Sequence, residues 1–247
     1  MLDKNIEAID GLPLIYIKGI NAVACSDLHL GYESVASKNG AFLPKKNLEN
    51  IKAEVKKAIG LTDAKKLIIT GDIKNDFSVM DLDEFNEMKE FAEYVKALGV
   101  KEIILIRGNH DNFVARVTDA LGIHVFEEEY GIGRMLFSHG DEIPKSDGWD
   151  TLIMGHVHPD IALYSKLGVK EKVRCILYGN YGRRKKIVIL PAMNYYASGV
   201  DANIDDISDM SPLLKCINIE SLHAFGIGDA ETLDFGRLAD LRQIAKR

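Results

Sequence analysis

Apolar residues in this chain recur with two different periods, and the change between them divides the sequence. Leu12–Ile20 and Asn21–Leu28 read as two strands joined at Gly19. Pro44–Ile59 has helical spacing, with proline near its start and Gly60 just past its end. Lys66–Thr70 is a short apolar strand running into Gly71-Asp72. A second helix is predicted from Asp81, where Glu84 three residues on forms a capping box, to Gly99. Its apolar positions Phe85, Met88, Phe91, Ala92, Val95 and Leu98 lie on one face and mark core. Val100–Ile106 is the next strand, followed by a short helix from about Asn112 to Leu121 closed by Gly122. Beyond that the pattern turns strand-rich. Gly133–Ser138, Thr151–Met154, Val173–Tyr178 and Lys186–Leu190 read as strands with little helix between them. Early strand–helix alternation followed by strands predicts an α/β fold of two packed sheets with helices outside.

Polar residues of one chemical kind gather where these strands end. Asp27-Leu28-His29, Gly71-Asp72, Gly108-Asn109-His110-Asp111, Ser138-His139-Gly140-Asp141 and Gly155-His156-Val157-His158 each follow an apolar run. Five of the seven histidines fall in these segments. In α/β sheets the loops beyond the strands' carboxyl ends carry function, because the rigid strand fixes where a side chain points. Asp27, His29, Asp72, Asn109, His139, His156 and His158 make seven oxygen and nitrogen ligands, enough for two metals if one carboxylate bridges. Asp72, the lone acid of its segment, is the natural bridge. The ligand types suit Mn²⁺, Fe, Zn²⁺ or Ni²⁺, with Mn²⁺ favoured. Two divalent ions carry four positive charges, and Asp27, Asp72 and a bridging hydroxide return three. The excess would attract an anionic phosphate, and metals about 3.5–4 Å apart could serve an in-line displacement.

The five segments, in this order, resemble the calcineurin-like metallophosphoesterase superfamily, whose pattern D-x-H, G-D, G-N-H-[DE], H-G and G-H-x-H is met from Asp27 to His158. The resemblance implies the metallophosphatase fold, a four-layer αββα sandwich of two mixed β-sheets flanked by helices, here as a single domain over residues 1–247. It also implies Asp27, His29, Asp72 and His158 around one metal, and Asp72, Asn109, His139 and His156 around the other. His110 would act on the substrate phosphate or leaving oxygen, and Asp111 would hydrogen-bond His110 and orient it. Ser26–Gly31, Gly71–Lys74 and Leu190–Asn194 further resemble archaeal phosphoesterases related to the SbcD nuclease subunit. The chain ends at Arg247, short for that subunit's DNA-binding cap, so a processive nuclease with an ATPase partner is not expected. The activity implied is phosphodiester hydrolysis, on single-stranded nucleic acid or nucleotides, by metal-bridging hydroxide with His110 protonating the leaving oxygen. A phosphomonoesterase or a hydrolase of small-molecule or lipid-linked diphosphates uses the same motifs. A non-catalytic binding module tends to lose such ligands, and none is missing here.

Composition narrows the setting. The net charge of −6 argues against a surface that is basic throughout, so a nucleic-acid partner would need a local basic patch or a metal-centred site. Arg183-Arg184-Lys185-Lys186 is the one strong basic cluster, after a hairpin tip at Gly179–Gly182. It reads either as a charged shoulder protecting a sheet edge or as a phosphate-backbone clamp. Lys74 and Arg107 could each reach phosphate; the plainer readings are a solvated lysine and a carboxylate pair. Tyr32 and Trp149 are expected to pack rather than stack on bases. Asp201–Asp209 reads as a solvated acidic loop, His124 and His223 as ordinary histidines, and the segments Gly31–Pro44 and Pro159–Val169 as loops. Three cysteines with no CxxC pair indicate reduced thiols. No apolar run reaches the roughly 18 residues of a membrane span, and Met1–Asp10 lacks a signal-peptide core, so no membrane partner and a cytoplasmic location are expected. The sequence itself carries no signal for oligomeric state; a homodimer through the early helices is what the likeness to the SbcD-related group would imply.

Overall fold

A computed structural model describes residues 2–78 and 80–245. The first sheet comprises β1 (Ile6–Ala8), β2 (Ile15–Ile17), β3 (Ala22–Cys25), β4 (Lys66–Thr70), β5 (Glu102–Ile106) and β6 (Ile123–Phe126), in spatial order of sequence. The strands from β3 to β6 run parallel, because helices cross over between them: α1 (Tyr32–Lys38) and α2 (Asn47–Thr62), then α3 (Leu82–Ala97), then α4 (Ala115–Leu121). The second sheet runs β13-β10-β11-β12-β9-β8-β7, with β14 and β15 paired onto β11. Its members are β7 (Glu129–Ile132), β8 (Met135–Ser138), β9 (Thr151–Met154), β10 (Pro159–Tyr164), β11 (Lys170–Tyr181), β12 (Lys185–Ile189), β13 (Val200–Asp201), β14 (His223–Ile227) and β15 (Thr232–Arg237). Both sheets mix parallel and antiparallel pairs.

Strand alternation creates three apolar layers. In β3, Ala22 and Ala24 face the second sheet while Val23 and Cys25 face the helices. Between the sheets Ile15, Ile17, Ile68 and Ile104 meet Phe137, Ile153, Ile176 and Val188. Outside the first sheet, Ile51 and Val55 of α2 and Met88, Phe91 and Val95 of α3 cover Leu67, Ile69 and Leu105. Outside the second, Leu213, Leu214, Leu222 and Leu238 cover Leu152, Leu177 and Ile187. This is the expected four-layer αββα arrangement, with a thin fourth layer made of α5 (Leu238–Ala245) and short 3₁₀ turns.

Several element boundaries differ from the pattern reading. The β2–β3 turn is made at Asn21, whose φ of 48° is left-handed, not at Gly19. Helix α2 runs through Gly60 and stops at Asp63, φ 51°; its first turn is capped from outside, by Glu33 Oε1 accepting from the Lys46 and Asn47 amides at 2.8 Å each. Its partner α3 has the predicted capping box of Asp81 and Glu84. Segment 31–44 contains helix α1, and 159–169 contains strand β10, where loops were expected. The hairpin tip lies beyond Tyr181, and β12 is interior between β9 and β11, so the basic cluster guards no sheet edge. There Lys185 stacks on Trp149 at 3.7 Å and Lys186 bonds Asn180 Oδ1 at 2.6 Å. Asp201 is buried in β13 and pairs with Lys170 and Lys172, so the acidic stretch is not wholly solvated. The last helix starts at Leu238 because residues 232–237 complete a hairpin; Lys246 and Arg247 lie outside the described residues. Among the described residues no helix is long and apolar enough to cross a membrane.

Candidate metal centre

The site forms where the carboxyl ends of both sheets meet. Strand β3 delivers Asp27 and His29, β4 delivers Asp72, and β5 delivers Asn109, His110 and Asp111; β8 delivers His139, and β9 delivers His156 and His158. Sharp turns aim these side chains. Asp27, His29, Asp72, His156 and His158 all have left-handed backbones, five of the eight non-glycine residues with positive φ among those described. Asp and His tolerate that region better than branched residues, so the residue types that serve the site also permit its turns. Gly155 allows the two sheets to close: a β-carbon there would collide with Ser26 Oγ and Asp27 Oδ2.

All seven predicted ligands converge. Asp27, His29 and His158 offer ligand atoms within 4.8 Å of one another, as do Asp27, Asp72 and His139, and also His29, Asp72 and His110. Asp27 is fully buried, and its Oδ1 makes no well-aligned hydrogen bond although His158 Nε2 stands 3.2 Å away. On the other side, His139 Nε2 lies 3.0 Å from Asn109 Oδ1, 3.1 Å from His156 Nδ1 and 3.4 Å from Asp72 Oδ2. The Thr70 carbonyl, 2.9 Å from His139 Nδ1, can only accept, so Nδ1 carries the hydrogen. That leaves Nε2 facing the Asn109 and Asp72 oxygens, as a donor while the ring is protonated and as a lone pair once a cation takes the proton's place. Acceptors aimed at a common point, one of them orphaned, are what a cation satisfies; the donor set fits divalent metals.

The electrostatics agree. Burial alone would raise the Asp27 pKa, yet His158, His139 and His29 hold it far below the usual carboxylate range. Burial pushes His29 down to about 4, only partly opposed by Asp27 and Asp72. Burial would likewise lower His139, but Asp72 and Asp27 lift it to about 10. The protein alone thus needs a positive charge amid these carboxylates.

Asp111 differs from expectation. Its carboxylate accepts from the backbone amides of Gly108 (2.9 Å) and Lys74 (3.3 Å), not from His110. Burial, with the Asp72 charge, raises its pKa to about 7. The His110 ring is held instead by the Asn75 carbonyl at Nδ1, leaving Nε2 3.9 Å from Asp72 Oδ2. Lys74 is neither solvated nor a phosphate contact: it is fully buried, and its ammonium bonds the carbonyls of Asp76 and Ser78. Arg107 pairs with Glu127 at 2.8 Å, Tyr32 stacks on Tyr196, and Trp149 packs beside Tyr181. His124 is exposed on β6 and His223 pairs with Asp234, both outside the cluster.

Two supporting residues escaped the sequence reading. Buried Asn47, at the start of α2, donates to the carbonyls of Leu28 and His29 at 3.0 and 3.2 Å and accepts from the Tyr195 amide at 2.9 Å. Asn194 donates its backbone N–H to the Asp27 carbonyl at 3.2 Å and its Nδ2 to the His29 carbonyl at 3.4 Å, while its Oδ1 accepts from the Tyr196 and Ala197 amides. Asn194 lies in the Leu190–Asn194 segment, which offered a signal; Asn47 offered none.

Two mixed sheets with an acid–imidazole cluster at their shared strand ends define the metallophosphatase class of hydrolase. The chain belongs to the calcineurin-like phosphoesterase family, whose model matches residues 20–166. Members of that family use divalent metal ions, and this chain carries the candidate ligands. Among solved structures, it shares its fold with a nuclease, MPE, from Pseudomonas putida: TM-score 0.64 and 18% identity, covering 93% of this chain and 100% of that one. A phosphoesterase from E. coli, Yfce, aligns at TM-score 0.40 and 14% identity over 87% of this chain and 98% of that one. No curated protein sequence matches the chain.

Proposed function

We propose that the chain is a dinuclear-metal phosphodiesterase of one catalytic domain, related within its family to the archaeal SbcD-associated phosphoesterases. The observation that carries this reading is the gathering of seven candidate ligands in one cluster in which Asp27 Oδ1 is left without a hydrogen bond. Asp27, His29, Asp72 and His158 would hold one metal; Asp72, Asn109, His139 and His156 would hold the second, with Asp72 shared. Mn²⁺ is the first metal to test. When bound, the pair would supply an activated water and a positive template for the phosphoryl oxygens.

The remaining work falls to protein groups. Because the Asn75 carbonyl accepts only, His110 Nδ1 keeps its hydrogen, and the mobile proton sits on Nε2. Nε2 faces the centre, so the imidazolium would give that proton to the leaving oxygen. Asp111 shapes the turn that presents His110, through Gly108 and Lys74, rather than touching the ring. The substrate class is a phosphodiester, single-stranded nucleic acid or a nucleotide.

The test is Mn²⁺-dependent hydrolysis of an aryl phosphodiester beside its monoester, with Asp72→Ala as control. Diester turnover lost by about 10³-fold or more in the variant is expected, because several kcal/mol of charge stabilisation go with the metals. Turnover of the monoester alone would replace this reading with a phosphomonoesterase.

A further inference from the structure

Beside His110 the structure holds a feature that the metal chemistry does not use. The phenyl ring of Phe77 lies over the His110 imidazole, with ring centroids 3.6 Å apart and planes tilted by 31°. Its residue is nevertheless 56% exposed, so much of the ring is open to solvent. What sets this exposed ring apart from the others on the surface is its place, against the imidazole proposed as the acid.

The backbone around Phe77 is held by buried machinery. Lys74, fully buried, bonds the carbonyls of Asp76 and Ser78 on either side of it. Asn112 Nδ2 donates to the Phe77 carbonyl itself at 3.1 Å. Glu84 Oε1 accepts from the amides of Asn75 and Asp76 at 3.2 and 2.7 Å. Burying a lysine costs several kcal/mol unless its hydrogens are satisfied, and here they are spent on this loop. The residue after Asn112 is Phe113, 49% exposed, at a φ of 65°. That conformation is strained for a bulky side chain and persists only where the surroundings impose it. Two half-exposed phenylalanines are therefore displayed by the loops that carry the acid and its carbonyl partner.

We infer that Phe77 is a specificity-determining residue that stacks on the nucleobase of the leaving nucleoside. The inference rests on the phosphodiesterase reading for its geometry. If His110 Nε2 protonates the leaving oxygen, the group attached to that oxygen departs past His110, and the open part of Phe77 is the adjacent surface. A π-face is the complement that a base offers and that a bare sugar-phosphate does not. Stacking of this kind tolerates any base, so the preference is for base-bearing leaving groups without sequence selection.

The test measures binding of a short single-stranded phosphorothioate oligothymidine, and of an abasic strand of equal length and charge, to the full chain with Mn²⁺. Wild type should prefer the base-bearing strand. Phe77→Ala should weaken that strand about tenfold, the scale of one lost base–aromatic stack, and close the gap to the abasic strand. Phe77→Trp should restore the preference, and Phe77→Leu, apolar but without a π-face, should not. Equal binding of both strands by wild type, or full rescue by leucine, would overturn the inference. Rescue by leucine together with tighter binding of an alkyl phosphodiester would assign the surface to a lipid-like leaving group instead. Hydrolysis assays on the same proteins keep the two readings apart. Turnover without base preference sinks the role of Phe77 alone, whereas base-dependent binding with no turnover of any phosphoester sinks the enzymatic reading and the leaving-nucleoside assignment with it, and leaves Phe77 as a base-stacking residue only.

Discussion

The two sheets contribute different chemistry to the same pocket. The first delivers both carboxylates, Asp27 and Asp72, with Asn109 and His29; the second delivers three imidazoles, His139, His156 and His158. Every formal negative charge among the proposed ligands thus comes from the first sheet, where the parallel strands β3, β4 and β5 lie side by side. The second sheet supplies groups that are neutral when they ligate. Neither set would hold a cation as well alone, because the acids need neutral donors to complete coordination and the imidazoles lack compensating charge. The centre is therefore a property of the sheet–sheet joint.

That division can be broken most severely at Asp72, the acid proposed to be shared. Asp72→Ala should remove both metals, whereas His156→Ala should remove one, as counted by metal analysis of dialysed protein. Equal loss in the two variants would show that Asp72 does not bridge and that the division by sheet is incidental.

A smaller effect is expected where the first sheet's turn is fastened from outside. Asn47→Ala leaves the carbonyls of Leu28 and His29 without their donor, and should cost about 1–3 kcal/mol in denaturant unfolding. It should also weaken metal binding, since His29 sits on that turn at a φ of 45°. A loss of stability with unchanged metal affinity would reduce Asn47 to a packing residue.

The smallest effect concerns the joint itself. Glu54 of α2 reaches Arg174 of β11 at 2.7 Å, tying the helical layer of one sheet to a strand of the other. Burial raises the Glu54 pKa, incompletely offset by Arg174. A carboxyl whose folded pKa lies above its unfolded value contributes stability at low pH that is lost as pH rises through the folded value. Glu54→Gln should therefore flatten the decline in stability just above the ordinary carboxylate range. Arg174→Ala should steepen it and cost about 1–2 kcal/mol near neutrality, less than for a fully buried pair because Arg174 is 35% exposed. Parallel pH profiles for the three proteins would mean that this link carries no load.

Much of the first half was legible in the sequence. Capping of α3 by Asp81 and Glu84, the stops at Gly99 and Gly122, and the apolar runs of β4 and β5 are local signals, and the structure has them. The second half was less so. Strands β10, β14 and β15 were not anticipated, and of the two readings of the basic cluster the edge shoulder fails, because β12 is interior. Pairing between distant strands decides which segments are strands there, and residues such as Lys170–Lys172 carry little strand signal of their own.

The site divides in the same way. Which side chains come together at the strand ends was determined by the sequence itself, because each candidate ligand lies on a short turn directly after an apolar strand, and glycine, Asp and His mark such turns locally. How they are supported was decided only by the tertiary structure. Asn194 reaches the His29 carbonyl across 165 residues, the Tyr195 amide reaches Asn47 across 148, and the Asn75 carbonyl replaces Asp111 as the partner of His110. Such contacts run through backbone atoms and common side chains. They leave no periodicity to read, because only the closing of one sheet on the other brings them within hydrogen-bonding distance.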